Sequence, residues 1–152
     1  MGGGLPPIDV SIHPQLVGRP PPETQKMAKK KIDGTLIIKD ETTGSIVCTQ
    51  GTLANTFRTR LFGLLGRKGL KEGAGLLIKP SSGVHTFGMS FPIDIVSLDQ
   101  HHRVLGVFEN TGPWTIRGLS LKTRSVLELP AGRIQQCGIK PGDELVLEAA
   151  PD

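Results

Sequence analysis

The chain has 152 residues, enough for one domain with a usable core, and its 37% apolar and 21% charged content is ordinary for a globular protein. Tyr is absent and Trp occurs once, which removes the aromatic platforms on which single-stranded nucleic acids stack. The net charge of +4 divides into five basic and three acidic residues over 1–33 and thirteen and eleven over the rest, a near balance that argues for no nucleic-acid partner.

Residues 1–33 read as a disordered tail. They contain Gly2-Gly3-Gly4, Pro6-Pro7 and Pro20-Pro21-Pro22 and few large apolar residues, too little surface to offset the entropy of ordering. Met27-Ala28-Lys29-Lys30-Lys31 looks like a translation start, so residues 1–26 are expected to be an upstream extension or an expression leader. The stretch lacks the apolar core of a signal peptide, and no apolar run approaches the ~20 residues of a membrane span. A cytoplasmic location without membrane insertion is expected.

A single domain is expected over 34–152. Thr35–Lys39 and Ser45–Thr49 are β-prone runs around the turn-forming Asp40-Glu41-Thr42-Thr43-Gly44, and read as a hairpin. From Thr52 to Leu65 the period becomes helical, with Leu53, Phe57, Leu61 and Leu64 on one side, Thr52 as cap and Gly66 as stop. Leu76–Lys79 is a short strand and 80–91 a loop. Ile93–Leu98 and Val104–Glu109 form a second hairpin, followed by a long connection, Asn110–Arg124, broken by Gly112-Pro113 and Gly118. Val126–Leu129 is a strand, Ala131–Cys137 a short helix and Glu144–Glu148 the last strand. The class is α+β and mainly antiparallel: a small β-barrel-like domain with one longer and one short helix. The helices are too few for a doubly wound parallel sheet. Gly69–Ile78 and Gly138–Leu147 resemble each other, so the elements group as two pseudo-symmetric ββαβ halves, either by duplication or because helix–Gly–strand turns converge.

The polar residues concentrate in one place. Val84-His85-Thr86-Phe87-Gly88-Met89-Ser90-Phe91-Pro92 leads into Ile93-Asp94-Ile95-Val96-Ser97-Leu98. Alternation puts Asp94 on the face of Val96 and Leu98, with Ile93 and Ile95 opposite. A carboxylate among aliphatics needs a partner. His85, nine residues earlier across Gly88, is expected to fold back beside Asp94, with Thr86 or Met89 lining the same opening. Acyl-transfer chemistry finds little support. No serine stands in a nucleophile elbow, and Cys48 lies on a strand rather than at a reactive helix start. Cys48 and Cys137 are expected to be two buried thiols, having no C-x-x-C or zinc spacing. Asp99 with His101 and His102 reads as a hairpin tip, Asp99 starting the turn, so no metal and no cofactor are expected.

Phe57–Arg67, Gly73-Ala74-Gly75-Leu76-Leu77-Ile78, His85–Met89 through Pro92-Ile93-Asp94 to Asp99, Val126–Gly132 and Gly142-Asp143 together resemble the DUF192 family over about residues 50–148. The resemblance implies a mainly β domain with one or two helices and no established activity. Many relatives carry a signal or anchor segment, and this chain displays none. The family's recurring polar positions fall on Arg60, His85, Thr86, Met89, Asp94 and Glu128. Arg60 on the helix and Glu128 between Leu127 and Leu129 are expected to form a structural or site ion pair. These residues favour a binding module for a small polar ligand at the 81–94 loop and strand start, contacting His85, Thr86, Met89 and Asp94. Two other classes stay open: a hydrolase or isomerase using His85 and Asp94 as acid and base, and a protein-interaction domain docking through loop 110–124 with an exposed Trp114.

Overall fold

The computed structural model describes residues 34–55 and 68–151. The expected tail over 1–33, Arg60 and its expected pairing with Glu128, and most of the expected longer helix lie outside them. The described elements are strands β1 (Leu36–Asp40), β2 (Ile46–Ala54), β3 (Ala74–Ile78), β4 (Val84–His85), β5 (Ile93–Leu98), β6 (Val104–Thr111), β7 (Ile116–Arg117) and β8 (Ser125–Pro130), helix α1 (Arg133–Cys137), and strand β9 (Leu145–Ala149).

Side-chain oxygens on backbone amides set both hairpin turns. Asp40 Oδ1 accepts from the amides of Thr42 and Thr43, and Asp99 Oδ1 from those of His101 and Arg103. Asp99 thus starts its turn as the sequence predicts. Seven strands form one sheet in the order β6-β5-β8-β3-β2-β1-β9. All pairings are antiparallel except β2 with β3. The two ends of the sheet meet where the β5–β6 turn touches the start of β9: Arg103 bridges Glu144, and Val104 and Asp143 join through a main-chain bond of 2.8 Å. The sheet therefore curls into a half-closed barrel.

Strand alternation sorts the apolar side chains into two layers. One contains Leu36, Ile38, Val47, Cys48, Leu77, Val96, Leu98, Leu127, Leu129 and Leu145, with Ile134 and Cys137 of α1 packed among them. The other contains Ala54, Leu76, Ile78, Met89, Ile93, Ile95 and Val126. β5 is buried along its whole length because it has neighbours in both layers and strands on both sides.

Two expectations change. Thr52 does not cap a helix: β2 runs on to Ala54, and Thr52 pairs with Leu76 of β3. The two halves do not pair alike, since β3 lies parallel to β2 while β9 crosses to pair with β1. The periodicity of side chains cannot distinguish these partners.

The loop 80–91 and the connection 110–124 contain a second sheet that alternation does not reveal. β4 and β7 pair as a two-residue ribbon, Val84 with Arg117 and His85 with Ile116. Gly83 approaches the main chain of Leu119 so closely that a Cβ would stand 2.9 Å from its Cα. Gly83→Ala should therefore loosen the ribbon alone. Amide exchange at Thr86 and Ser120 should rise about tenfold or more while β5 stays protected. Unchanged exchange at both would mean that the contact does not hold the ribbon.

Candidate functional site

Asp94 is fully buried on the layer of Val96 and Leu98, as alternation predicts. Its two oxygens hold two different elements. Oδ1 accepts from the amide of Asn110 at the end of β6, and Oδ2 from the amide of Ile134 in the first turn of α1, each at 2.8 Å. Gly132, the residue that caps α1, has no side chain to accept from those amides. A carboxylate reaching over from β5 does that work, where the helix start favours negative charge.

Thr86 is fully buried and acts as a clamp. Its hydroxyl donates to the carbonyl of Gly112 at 2.8 Å and accepts from the amide of Thr115 at 2.9 Å. Its own amide donates to Thr115 O, and its carbonyl accepts from the amides of Met89 and Trp114. His85 lies on β4, exposed, with its ring 5.1 Å from that of Phe87, which in turn stacks on Trp114 at 5.7 Å. No hydrogen bond or ion pair links His85 to Asp94. The imidazole faces outward on the ribbon, while the carboxylate is engaged beneath the sheet with main-chain donors.

Glu128 occupies the opposite layer from Asp94. On β8 it is flanked across the sheet by Leu76 of β3 and Ile95 of β5, in the layer that also holds Met89 and Val126. The row Thr52, Leu76, Glu128, Ile95, Phe108 runs from an exposed residue on β2 into the interior and out to a half-buried one on β6. Glu128 is 3% exposed, and among the described residues no side chain or amide hydrogen-bonds it. The two ion pairs among the described residues, Lys39–Glu148 and Arg103–Glu144, both lie in solvent. Burial alone pushes the Glu128 carboxyl up to about 7. It is therefore a proton-bearing group poised near neutral pH in an apolar wall.

The four residues expected to line one opening thus occupy three surroundings. Asp94 and Thr86 hold the main chain, Met89 packs in the apolar layer of Leu76, Ile95 and Val126, and His85 joins an exposed aromatic row. The sequence named Glu128 only as half of an ion pair; its signal was a carboxylate inside an apolar strand. Phe87, Ile116, Leu119 and Leu121 were missed, because an apolar residue in a loop carries no period. Cys48 and Cys137 are buried and unbridged. Burial pushes the Cys48 thiol up to about 11, far from a reactive thiolate at neutral pH. Among the described residues no group of three or more His, Cys, Asp or Glu could hold a metal, and no helix is long and apolar enough to cross a membrane.

Comparison with known proteins gives the same picture of a fold without an assigned activity. The family model DUF192, described as an uncharacterized ACR, matches residues 38–147. A crystal structure of a protein of unknown function from Novosphingobium aromaticivorans DSM 12444 is 25% identical, with a TM-score of 0.63 over 73% of this chain and 82% of that one. A second, from Sinorhizobium meliloti 1021 and described as a candidate transcription regulator, is 22% identical, with a TM-score of 0.62 over 74% and 91%. No curated protein matches the chain.

The two carboxylates differ in testable ways. Asp94→Ala leaves two buried amides without an acceptor and should cost about 3–5 kcal/mol in chemical denaturation, with Asp94→Asn costing less because it keeps one acceptor. A loss below about 1 kcal/mol for the alanine variant would mean that the amides find other partners. For Glu128 the folded state holds the proton more tightly than the unfolded chain, whose carboxyl titrates near its usual value of 4.5. The folded state therefore binds more protons between these two values, and stability must fall as pH rises through them. Going from about pH 5.5 to about pH 8 should remove about 2 kcal/mol through this group. Asp40, whose carboxyl is raised by burial and by the neighbouring Asp143 carboxylate that accepts its proton, acts in the same direction. The comparison with Glu128→Gln isolates Glu128: the variant should lose that part of the pH dependence and be the more stable protein at pH 8. Parallel pH profiles would mean that Glu128 ionises freely in the fold.

Proposed function

This chain belongs to the DUF192 family, and we propose that it is a binding module for a small polar ligand that meets the carboxyl of Glu128. One observation carries the reading: Glu128, a residue 3% exposed, is set between Leu76 and Ile95 with no hydrogen-bond partner among the described residues. A buried polar group without a partner costs stability, and a ligand that supplies the missing hydrogen bond recovers that cost as binding energy. A carboxyl near its midpoint at neutral pH meets either an acceptor, as the acid, or an ammonium or amidinium, as the carboxylate. Met89, Leu76 and Val126 supply an apolar wall around this one polar group, the usual composition of a ligand site.

Of the earlier contact residues, Met89 keeps its place in this reading, on the same layer as Glu128. Acid–base chemistry through His85 and Asp94 is not part of it, since both oxygens of Asp94 already hold main-chain amides.

The reading is tested with cationic probes. Benzylamine and benzamidine should bind the wild type and raise its melting temperature at pH 8. Glu128→Gln, which keeps the shape and removes the charge, should weaken binding about tenfold, or about 1.4 kcal/mol. Equal affinities in the two proteins would remove Glu128 from any binding role, and so would a wild type that binds neither probe.

A further inference from the structure

Among the described residues the large exposed apolar side chains are Ile46, Phe87, Trp114, Ile116, Leu119 and Leu121. All but Ile46 lie on the β4–β7 ribbon and the turns beside it. Trp114 is 72% exposed, Leu119 73% and Leu121 94%. The same segments are basic. Residues 79–93 and 110–127 contain Lys79, Arg117, Lys122 and Arg124 and no aspartate or glutamate. Asp99 comes near Lys122 and Arg124 across a shallow hollow of about 270 Å³, but its Oδ1 is turned to two amides of its own hairpin.

We propose that this ribbon is a docking surface for an anionic lipid bilayer, with Trp114, Leu119 and Leu121 entering the interface and Arg117 and Lys122 meeting the headgroups. The charge selects an anionic partner, since these two segments carry four cations and no carboxylate of their own, and Asp99, the carboxylate beside Lys122 and Arg124, turns one oxygen to its own hairpin amides. Shape selects a bilayer over a folded protein. The apolar side chains stand at turn tips: Trp114 on a left-handed residue with φ 62, Leu119 and Leu121 just after the left-handed Gly118. Such tips need a deformable medium rather than matching pockets, and indole prefers the headgroup level.

Several backbone groups here are already paired, which lowers the cost of a low-dielectric surrounding, where an unpaired amide or carbonyl is costly. Ser120 donates its amide to Ser82 O, and Thr123 its amide to Ser120 O and its hydroxyl to Gly118 O. Lys122 donates its amide to Ser120 Oγ, and Arg124 Nη1 donates to Leu121 O. The Thr86 clamp fixes the other side. Two residues per strand are too few to template an added strand from a partner protein.

Trp114 is the chain's one tryptophan, so its fluorescence reports on this surface alone. The full-length protein is titrated with vesicles of phosphatidylcholine, with and without about one third phosphatidylglycerol. Trp114 emission should shift to the blue on the anionic vesicles, remain unshifted on neutral ones, and return on adding salt. Arg117→Gln with Lys122→Gln should weaken partitioning about thirtyfold at low ionic strength. Leu119→Ser with Leu121→Ser should weaken it about tenfold or more. Both double variants should keep the wild-type melting temperature, because all four side chains are exposed. No shift with either vesicle overturns the proposal, as does an equal shift with both. A shift with polyglutamate but not with vesicles overturns it in favour of an acidic protein partner. None of these residues lies in the row of Glu128, so this result is independent of the ligand test.

Discussion

The carboxylate of Asp94 ties the start of α1, which no ladder holds, to the end of the β5–β6 hairpin. It stands on the fully buried strand β5 and holds the end of β6 with one oxygen and the start of α1 with the other. α1 closes the inner layer through Ile134 and Cys137, so its position depends on a bond that its own Gly132 cap cannot make. Asn110, held by the other oxygen, turns left-handed with φ 46, and there the chain leaves β6 for the ribbon. From Asn110 it is two residues to Gly112, where the hydroxyl of Thr86 takes over. Asp94 and Thr86 thus act in series: one places the connection at the sheet, the other folds it against the loop before β5.

Asp94 and Glu128, two of the buried carboxylates of the sheet, show how surroundings determine role. Both sit in apolar strands and both are out of solvent. Asp94 meets two donors that the fold needs satisfied, so ionisation and structure support each other. Glu128 meets leucine and isoleucine, and its proton stays on to about neutral pH. The sheet keeps them apart through parity alone, since an even residue of β5 and Glu128 of β8 face opposite layers. A one-residue slip of β8 would carry Glu128 into the layer of Asp94, and the packing of both layers opposes that slip.

The ribbon and the Glu128 row are two features of one sheet with different physical demands. The row needs exclusion of water to keep a carboxyl protonated. The ribbon leaves apolar side chains in water. What lets the ribbon do so without collapsing onto the core is its own dense set of backbone bonds, with Thr86 at the centre.

Much of this was legible in the sequence where local physics decides. Period-two patterning located β5 to the residue and put Asp94 on the right layer, because alternation is a property of the strand itself. Asp40 and Asp99 marked their turns, since an aspartate reaches the amides two residues on. The family was legible from its ordered motifs. The tertiary structure alone decided which donors Asp94 would find, because Asn110 and Ile134 come to it from 16 and 40 residues away. It likewise decided that Thr86 would clamp rather than line an opening, that Thr52 would continue a strand, and that Glu128 would stand between Leu76 and Ile95. Each of these depends on which strand lies alongside, and strand neighbours in this sheet are set by crossovers such as β8 to β3 and β9 to β1 that no side-chain period encodes.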